Sequence, residues 1–382
     1  MVKRTAVRRL RAMAVHGLMI LQDRRVGRHI VVFESDDWGS VRMPSLKALS
    51  RMKKHDVYSV REKDYDSLDT LASNEDLELL AEALESVKGG DGRPAKMTLN
   101  TCVANPDFEK IKASDFREYY YEPFPETLKR YPHHDRVFEL WKEGIDHKVF
   151  RPQFHGREHL NAQKWMRYLK AGNKEALIGF NEGCYSVKIR NNVGYDHVLQ
   201  TFGIDKEDEC EFVRKSIQEG LDIFEQLFEF RSESMIAPCY TWDDYIEEEA
   251  VSLGVRCFQG GYIQGHSPWQ ECKGNNFTGH YMGECNHQGW CYLVRNCSFE
   301  PSQISKDNAD SCMAGIEKAF RRGLPAVVSC HRLNFIGDLN MENRDNNLQE
   351  FRKLLKMITE KYPDVEFMSS EELSKIYLER KS

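Results

Sequence analysis

The chain has 382 residues, 41% hydrophobic and 30% charged, with a net charge of −6. That composition is ordinary for a globular enzyme, disfavours a general nucleic-acid binder, and leaves room for one large barrel or sheet domain with insertions. No apolar run reaches the ~18 residues of a membrane span, and the 11 cysteines lack Cys-x-x-Cys spacing, which suits small core thiols in a reducing compartment.

In chain order, residues 1–28 come first. Lys3, Arg4, Arg8, Arg9, Arg11, Arg24, Arg25 and Arg28 face one acid, Asp23, around the apolar stretch 12–21. A His inside that stretch and the charges after it make a poor secretory signal. A basic amphipathic helix is expected, lying on the protein itself or touching anionic lipid. Residues 29–33 read as a short apolar strand ending at Glu34-Ser35-Asp36-Asp37-Trp38-Gly39, and 95–102 as a second strand before the turn at Asn105-Pro106. Residues 135–143 read as a helix and 148–154 as the strand that delivers His155. Strand 235–237 closes in Pro238-Cys239-Tyr240-Thr241-Trp242. A helix over 243–253 stops at Gly254, and strand 255–258 follows.

Further on, 311–322 reads as a helix, 325–330 as a buried strand before His331, and 347–362 as a last long helix. Residues 365–368 and a short helix from Ser370 close the chain, with 376–382 as a tail. Stretches near 113–131, 172–218 and 260–289 read as insertions in one domain spanning 29–375. This β-then-α rhythm predicts an α/β fold with a mostly parallel sheet, open or closed. Asp36, Asp37, His155, Trp242 and His331 all fall just after predicted strands, where barrels of this kind carry their chemistry.

Adjacent aspartates and a His-x-x-x-His supply a metal site with its own base. One carboxylate and two imidazoles can hold a divalent cation with a position open for water, while the other carboxylate takes that water's proton. At helical spacing His155 and His159 would share one face. Each piece alone has a blander reading, as a solvated loop, a helix cap or a structural histidine, and His197, His266 and His280 are expected to be structural. Phe224 to Phe230 is expected to be core. Cys272, Cys285, Cys291 and Cys297 cluster with His280 and His287, but their spacings match no zinc module.

Taken in order, the motifs resemble those of the polysaccharide deacetylase family, the NodB-homology carbohydrate esterases of the glycoside hydrolase/deacetylase barrel superfamily. That family's Thr-Phe-Asp-Asp-Gly is similar to Phe33-Glu34-Ser35-Asp36-Asp37-Trp38-Gly39, and its His-Ser/Thr-x-x-His to His155–His159. Its Arg-Pro-Pro-Tyr is similar to Ala237-Pro238-Cys239-Tyr240, its Leu-x-His to Ser329-Cys330-His331, and its closing motif to residues 367–373.

The resemblance implies a distorted (β/α) barrel of about seven parallel strands with loop insertions. It implies Asp37, His155 and His159 as metal ligands, Asp36 as general base and His331 as general acid, with the backbone N–H of Tyr240 as a candidate for the oxyanion. Tyr240, Trp242, Trp38, Arg332 and Asn334 become the candidates for substrate contact. Zinc is the expected ion, with cobalt, nickel or iron(II) also compatible with such a site.

The chain departs from the pattern at Ala237, where the family has the arginine that orients the base; Arg332 or Arg157 could take its place. Ser329 stands where an apolar residue is usual, and the Asp-x-x-Asp-Trp motif has no counterpart.

The expected activity is metal-dependent hydrolysis of an acyl group, N- or O-acetyl, from a saccharide. The compartment reading favours a cytoplasmic protein, at the inner membrane surface if its N-terminal helix touches lipid, acting on a nucleotide-linked, lipid-linked or small acylated sugar. Two other readings compete. A glycosidase on the same barrel would draw its carboxylate pair from Glu34, Asp36, Asp243 and Asp244. A non-catalytic glycan-binding barrel would use Tyr240, Trp242 and the Tyr119–Tyr121 loop.

Overall fold

The computed structural model describes residues 2–57, 65–191, 194–196, 198–274, 276–303 and 307–380. His197 lies outside the described residues. A central sheet is built from β1 (Ile30–Trp38), β2 (Met97–Thr101), β3 (Phe150–Phe154), β4 (Ser234–Ile236), β5 (Cys257–Gly260), β6 in two runs (Cys291–Val294 and Cys297–Ser298) and β7 (Ala326–His331). Each strand pairs in parallel with the next, from β1 to β2 and onward to β5.

The sheet closes on itself through β6. Its first run pairs with β5 and its second with β7, which pairs back to β1. The switch falls between two residues: Arg295 N–H donates to Gly260 across one seam at 2.8 Å, and Asn296 N–H to Val327 across the other at 3.1 Å. The result is the expected barrel of seven parallel strands, with Glu284–Cys285 antiparallel to the start of β6 and Glu366–Phe367 beside β1.

Strand alternation sorts the side chains. In β1, Val31 and Phe33 pack outward against helices; Phe33 meets Phe351 at 5.1 Å. Glu34 and Asp36 point into the lumen. Hydrogen bonds there link neighbouring strands and in one case cross the lumen: Asn100 of β2 donates to Asp36 of β1 (2.7 Å) and, across the lumen, to Gln259 of β5 (2.9 Å), while Gln259 donates to Ser234 (2.9 Å) and Ser234 to Gln153 (2.8 Å). This part of the lumen is therefore polar and cross-linked by hydrogen bonds, with Asn100 Oδ1 left without a partner, and forms a floor beneath the mouth where the strands end.

Around this barrel lie helices with one apolar face each. In α2 (Cys210–Phe228) the buried Val213, Ile217, Leu221, Phe224 and Phe228 recur at helical spacing, so the phenylalanine stretch is core as expected. The helix α3 (Met341–Lys361) buries Leu348, Phe351, Leu354, Leu355 and Ile358. The closing helix α4 (Ser370–Glu379) starts at a capping box between Ser369 and Glu372 and includes residues 376–379 of the expected tail.

The stretches expected to be insertions hold regular elements among their described residues. Tyr121–Pro123 pairs with Ala104–Pro106. The stretch 172–218 holds a helix, a hairpin and the first half of α2, while 260–289 holds the hairpin Ile263–Gly265/Phe277–Gly279. The N-terminal segment is a helix, Val2–Gln22, seated on that second hairpin.

Candidate functional site

β1 was expected to stop at Phe33 but continues through both aspartates because it contains a bulge. Ser35 pairs with Leu99 and Trp38 with Thr101, so β1 carries one extra residue, and Asp37 takes a left-handed φ of 73°. In a regular strand, neighbours face opposite sides; the extra residue re-aims Asp37 so that both carboxylates face one cavity. Aspartate tolerates this backbone region better than most side chains.

His155 follows β3 directly. The segment to His159 is an irregular turn rather than the expected helical face, because Gly156 adopts φ +105° and the next helix starts only at Ala162. Arg157 anchors the turn through ion pairs to Glu158 (2.6 Å) and Glu219 and stacks on Tyr121. The turn brings both imidazoles to one atom: His155 Nε2 and His159 Nε2 each lie 3.2 Å from Asp37 Oδ1. That is close to the separation of ligands sharing an ion at about 2.0–2.2 Å.

His155 Nδ1 is 2.9 Å from the Ile236 carbonyl, which fixes the ring with Nε2 turned toward Asp37. Burial and then Arg42 push the pKa of His159 well down, so its ring is neutral, the form in which an imidazole can hold a metal. Among the described residues, Asp37, His155 and His159 form the one cluster whose donor atoms could hold a metal. The donor set therefore fits a divalent cation. The cysteines near 272–297 do not assemble into such a cluster.

The other oxygen of Asp37 accepts from Arg42 (3.1 Å) and from the Tyr65 hydroxyl. Arg42 reaches Asp69 at 3.6 Å, and Asp69 is held by Arg332 at 2.7 Å. Arg332 thus belongs to the support beneath Asp37 and lies fully buried, away from the cavity surface. Asn334 is likewise buried, donating to Glu300 at 2.9 Å, and Glu300 in turn pairs with His331 Nδ1. Both were expected to contact substrate; both sit one layer behind, where they position the groups that do face the cavity.

Asp36 is gripped by Arg295. The guanidinium donates Nη1 to Oδ2 at 2.7 Å and Nη2 to Oδ1 at 2.6 Å, while its Nε reaches Glu34 at 2.7 Å. Asp36 has an arginine partner after all, supplied from the switch point of β6 rather than from the Ala237 position. Arg157 and Arg332, the expected substitutes, are committed elsewhere. Burial opposes the charge on Asp36, but Arg295 outweighs it and holds the carboxyl down at about 2. His331, paired in register with Asp36, has Nε2 3.8 Å from Asp36 Oδ2. Burial opposes its protonation, yet Glu300 raises its pKa to about 9.

These groups line a cavity of about 280 Å³, walled by Leu199, Ile236, Cys239 and Tyr240. The Tyr240 hydroxyl accepts from Arg295 at 3.0 Å, and Cys239 and Tyr240 both have left-handed backbones, bending the loop over the site. The Tyr240 N–H is already used by the Ala237 carbonyl at 3.0 Å, so it does not face an oxyanion. Trp242 packs beneath and donates to Glu247, and Trp38 packs on Trp141 and donates to Ser35. Neither lines the cavity. His266 bonds Asp243 and Thr278, and His280 bonds Gln264 and Glu284; both are structural, as expected.

The sequence matches no family model and no curated protein. Solved structures do resemble the chain. A 4-alpha-glucanotransferase from Thermococcus litoralis is 9% identical over 91% of this chain and 40% of its own, with a TM-score of 0.47. The chain thus spans two fifths of that enzyme's length. A protein assigned as a glycoside hydrolase/deacetylase from Parabacteroides distasonis is 8% identical over 92% and 71%, with a TM-score of 0.49. One assigned as a polysaccharide deacetylase from Mycobacterium smegmatis is 10% identical over 93% and 92%, with a TM-score of 0.42. Polysaccharide deacetylases, whose motifs the sequence resembles, are therefore among the similar structures.

Proposed function

We propose that this protein is a metal-dependent hydrolase that removes an acyl group, N- or O-acetyl, from a saccharide or saccharide conjugate. The observation that carries the reading is the division of labour between Asp36 and Asp37: one turned onto two imidazoles, the other clamped as a carboxylate by Arg295 beside His331. A divalent cation held by Asp37, His155 and His159, zinc by the expectation above, would polarise the acyl carbonyl and acidify a water beside it.

The chain's own residues then handle protons. Asp36, ionised at neutral pH, accepts the proton of the attacking water. His331, protonated at neutral pH, keeps Nδ1–H on Glu300 and offers Nε2–H to the departing amine or alkoxide as the C–N or C–O bond breaks. Arg295 keeps Asp36 in place and Glu300 keeps His331 charged. Tyr240 forms the wall against which the sugar ring rests.

A glycosidase would need a second carboxylate positioned across a sugar. The carboxylates lining this cavity are Asp36 and Asp37, and Asp37 faces the imidazoles. Glu34 is bound by Arg295 and Ser370 inside the lumen, and Asp243 by Ser267. Metal content of protein purified without chelators, compared with Asp37→Ala, tests the reading. Near one equivalent in wild type and little in the variant is expected. No metal in either after adding zinc or cobalt would overturn it.

A further inference from the structure

The N-terminal helix, α1 (Val2–Gln22), is seated by one face only. Val15 and Met19 press on Gly279 of the hairpin after β5, where a Cβ would lie 2.4 Å from Val15 Cγ1 and 3.0 Å from Met19 Cγ. His16 meets Tyr262 edge-on at 4.8 Å. Asp23, the one acid of this segment, is consumed in the seat: it accepts from Tyr262 (2.9 Å), Arg322 (3.0 Å) and the Met282 N–H (3.0 Å).

The opposite face is apolar and uncovered. Leu10, Met13, Ala14, Gly17, Leu18 and Leu21 follow the spacing of a single helical stripe, and the large ones are 66%, 69%, 58% and 82% exposed in that order. Arg11, Arg24 and Arg25 are exposed beside it, and Lys3, Arg4, Arg8 and Arg9 belong to the same segment of sequence. Four large apolar side chains in one stripe need a covering surface. The charge pattern identifies it. A second copy would bring two strongly basic segments together, whereas an anionic bilayer offers hydrocarbon for the stripe and counter-charge for the arginines.

We infer that α1 docks this protein on an anionic membrane surface, lying in the interface with the Leu10–Leu21 stripe inserted. No described helix is long and apolar enough to cross a membrane, so the contact is peripheral at this helix. The seat is connected to the cavity: Gly265 of the same hairpin bridges to Thr241, next to Tyr240 of the cavity wall. Docking therefore holds the cavity wall through the hairpin at a fixed relation to the lipid surface. The inference stands independently of the hydrolase reading, because it uses none of the metal or proton-transfer groups.

The test is co-sedimentation of the full chain with phosphatidylcholine vesicles, with and without phosphatidylglycerol. Binding should need the anionic lipid, fall as salt rises, and drop about tenfold or more in L18D/L21D and in R24E/R25E. These positions are exposed, and an unchanged melting temperature and metal content would show that the variants fold. Absence of wild-type binding to anionic vesicles overturns the proposal, as does equal binding to neutral ones. A wild-type dimer that L18D/L21D returns to monomer, without vesicle binding, would assign the stripe to a second copy instead.

Discussion

Replacing Arg295 by alanine is the sharpest perturbation of this site. The side chain is buried and makes three short hydrogen bonds, two to Asp36 and one to Glu34. Its loss strands two carboxylates in the barrel lumen, and breaking a buried pair this way costs about 3–5 kcal/mol. Asp36 alone gains stability from the pair: holding its carboxyl at about 2, against an unfolded value near 3.8, is worth about 2 kcal/mol at neutral pH. Because the folded value is depressed, that contribution is complete above the unfolded pKa and is lost as pH falls toward about 2.

In Arg295→Ala burial is left to dominate, so the Asp36 pKa rises. The acidic limb of kcat/KM should move upward with it, since the proton acceptor must be ionised. Arg295→Lys keeps a charge but cannot grip both carboxylates bidentately, so it should fall between wild type and alanine. Denaturant melts and a pH–rate profile on an acylated sugar read the two effects separately. Unchanged stability together with an unmoved acidic limb would refute the assignment of Arg295 as the positioning residue for Asp36.

His331→Ala should lower kcat about 10²–10⁴-fold, the usual worth of a general acid. Activity should decline as pH rises through about 9, and Glu300→Gln should bring that alkaline limb down toward the ordinary histidine value; an unmoved limb in Glu300→Gln would remove Glu300 from the proton path. Tyr65→Phe deletes the hydroxyl that binds Asp37 and should weaken metal affinity about 10–100-fold, measured by competition with a chelator. Chelation of the wild type should abolish acyl release and added divalent metal restore it; full activity in chelator would contradict the role of the Asp-His-His cluster. Gly220→Ala should destabilise by about 1–3 kcal/mol in urea despite better helix propensity, since its Cβ would lie 2.7 Å from Phe154 Cζ and 3.1 Å from the Arg157 Cα.

The barrel, the strand ends and five polar residues at its mouth were legible because their signals are local. Apolar runs such as Ile30–Phe33 announce strands; Asp36, Asp37, His155 and His331 each fall just after a predicted strand, and His159 is picked out by its His-x-x-x-His spacing from His155. Local patterning fails where a residue's role depends on closure of the sheet. Arg295 sits in a short segment with no motif and acquires its partners because β6 switches neighbours there, pointing one guanidinium at both Glu34 and Asp36.

The same holds for most of the supporting groups. Arg42 follows Asp37 closely, but Tyr65, Asp69 and Glu300 lie far in sequence from the side chains they hold, Asp37, Arg42 and His331, and meet them through long-range contacts, so no spacing rule could find them. Conversely, Trp38, Trp242, Arg332 and Asn334 follow or end strands beside the site, and adjacency made them plausible substrate contacts. Whether a side chain reaches the cavity or turns beneath it depends on a bulge at Asp37 and on left-handed residues at Cys239 and Tyr240. Those backbone choices depend on packing around the barrel mouth, which is why chain order brought out the candidate residues while burial and hydrogen-bond partners, fixed only in three dimensions, separate those that line the cavity from those behind it.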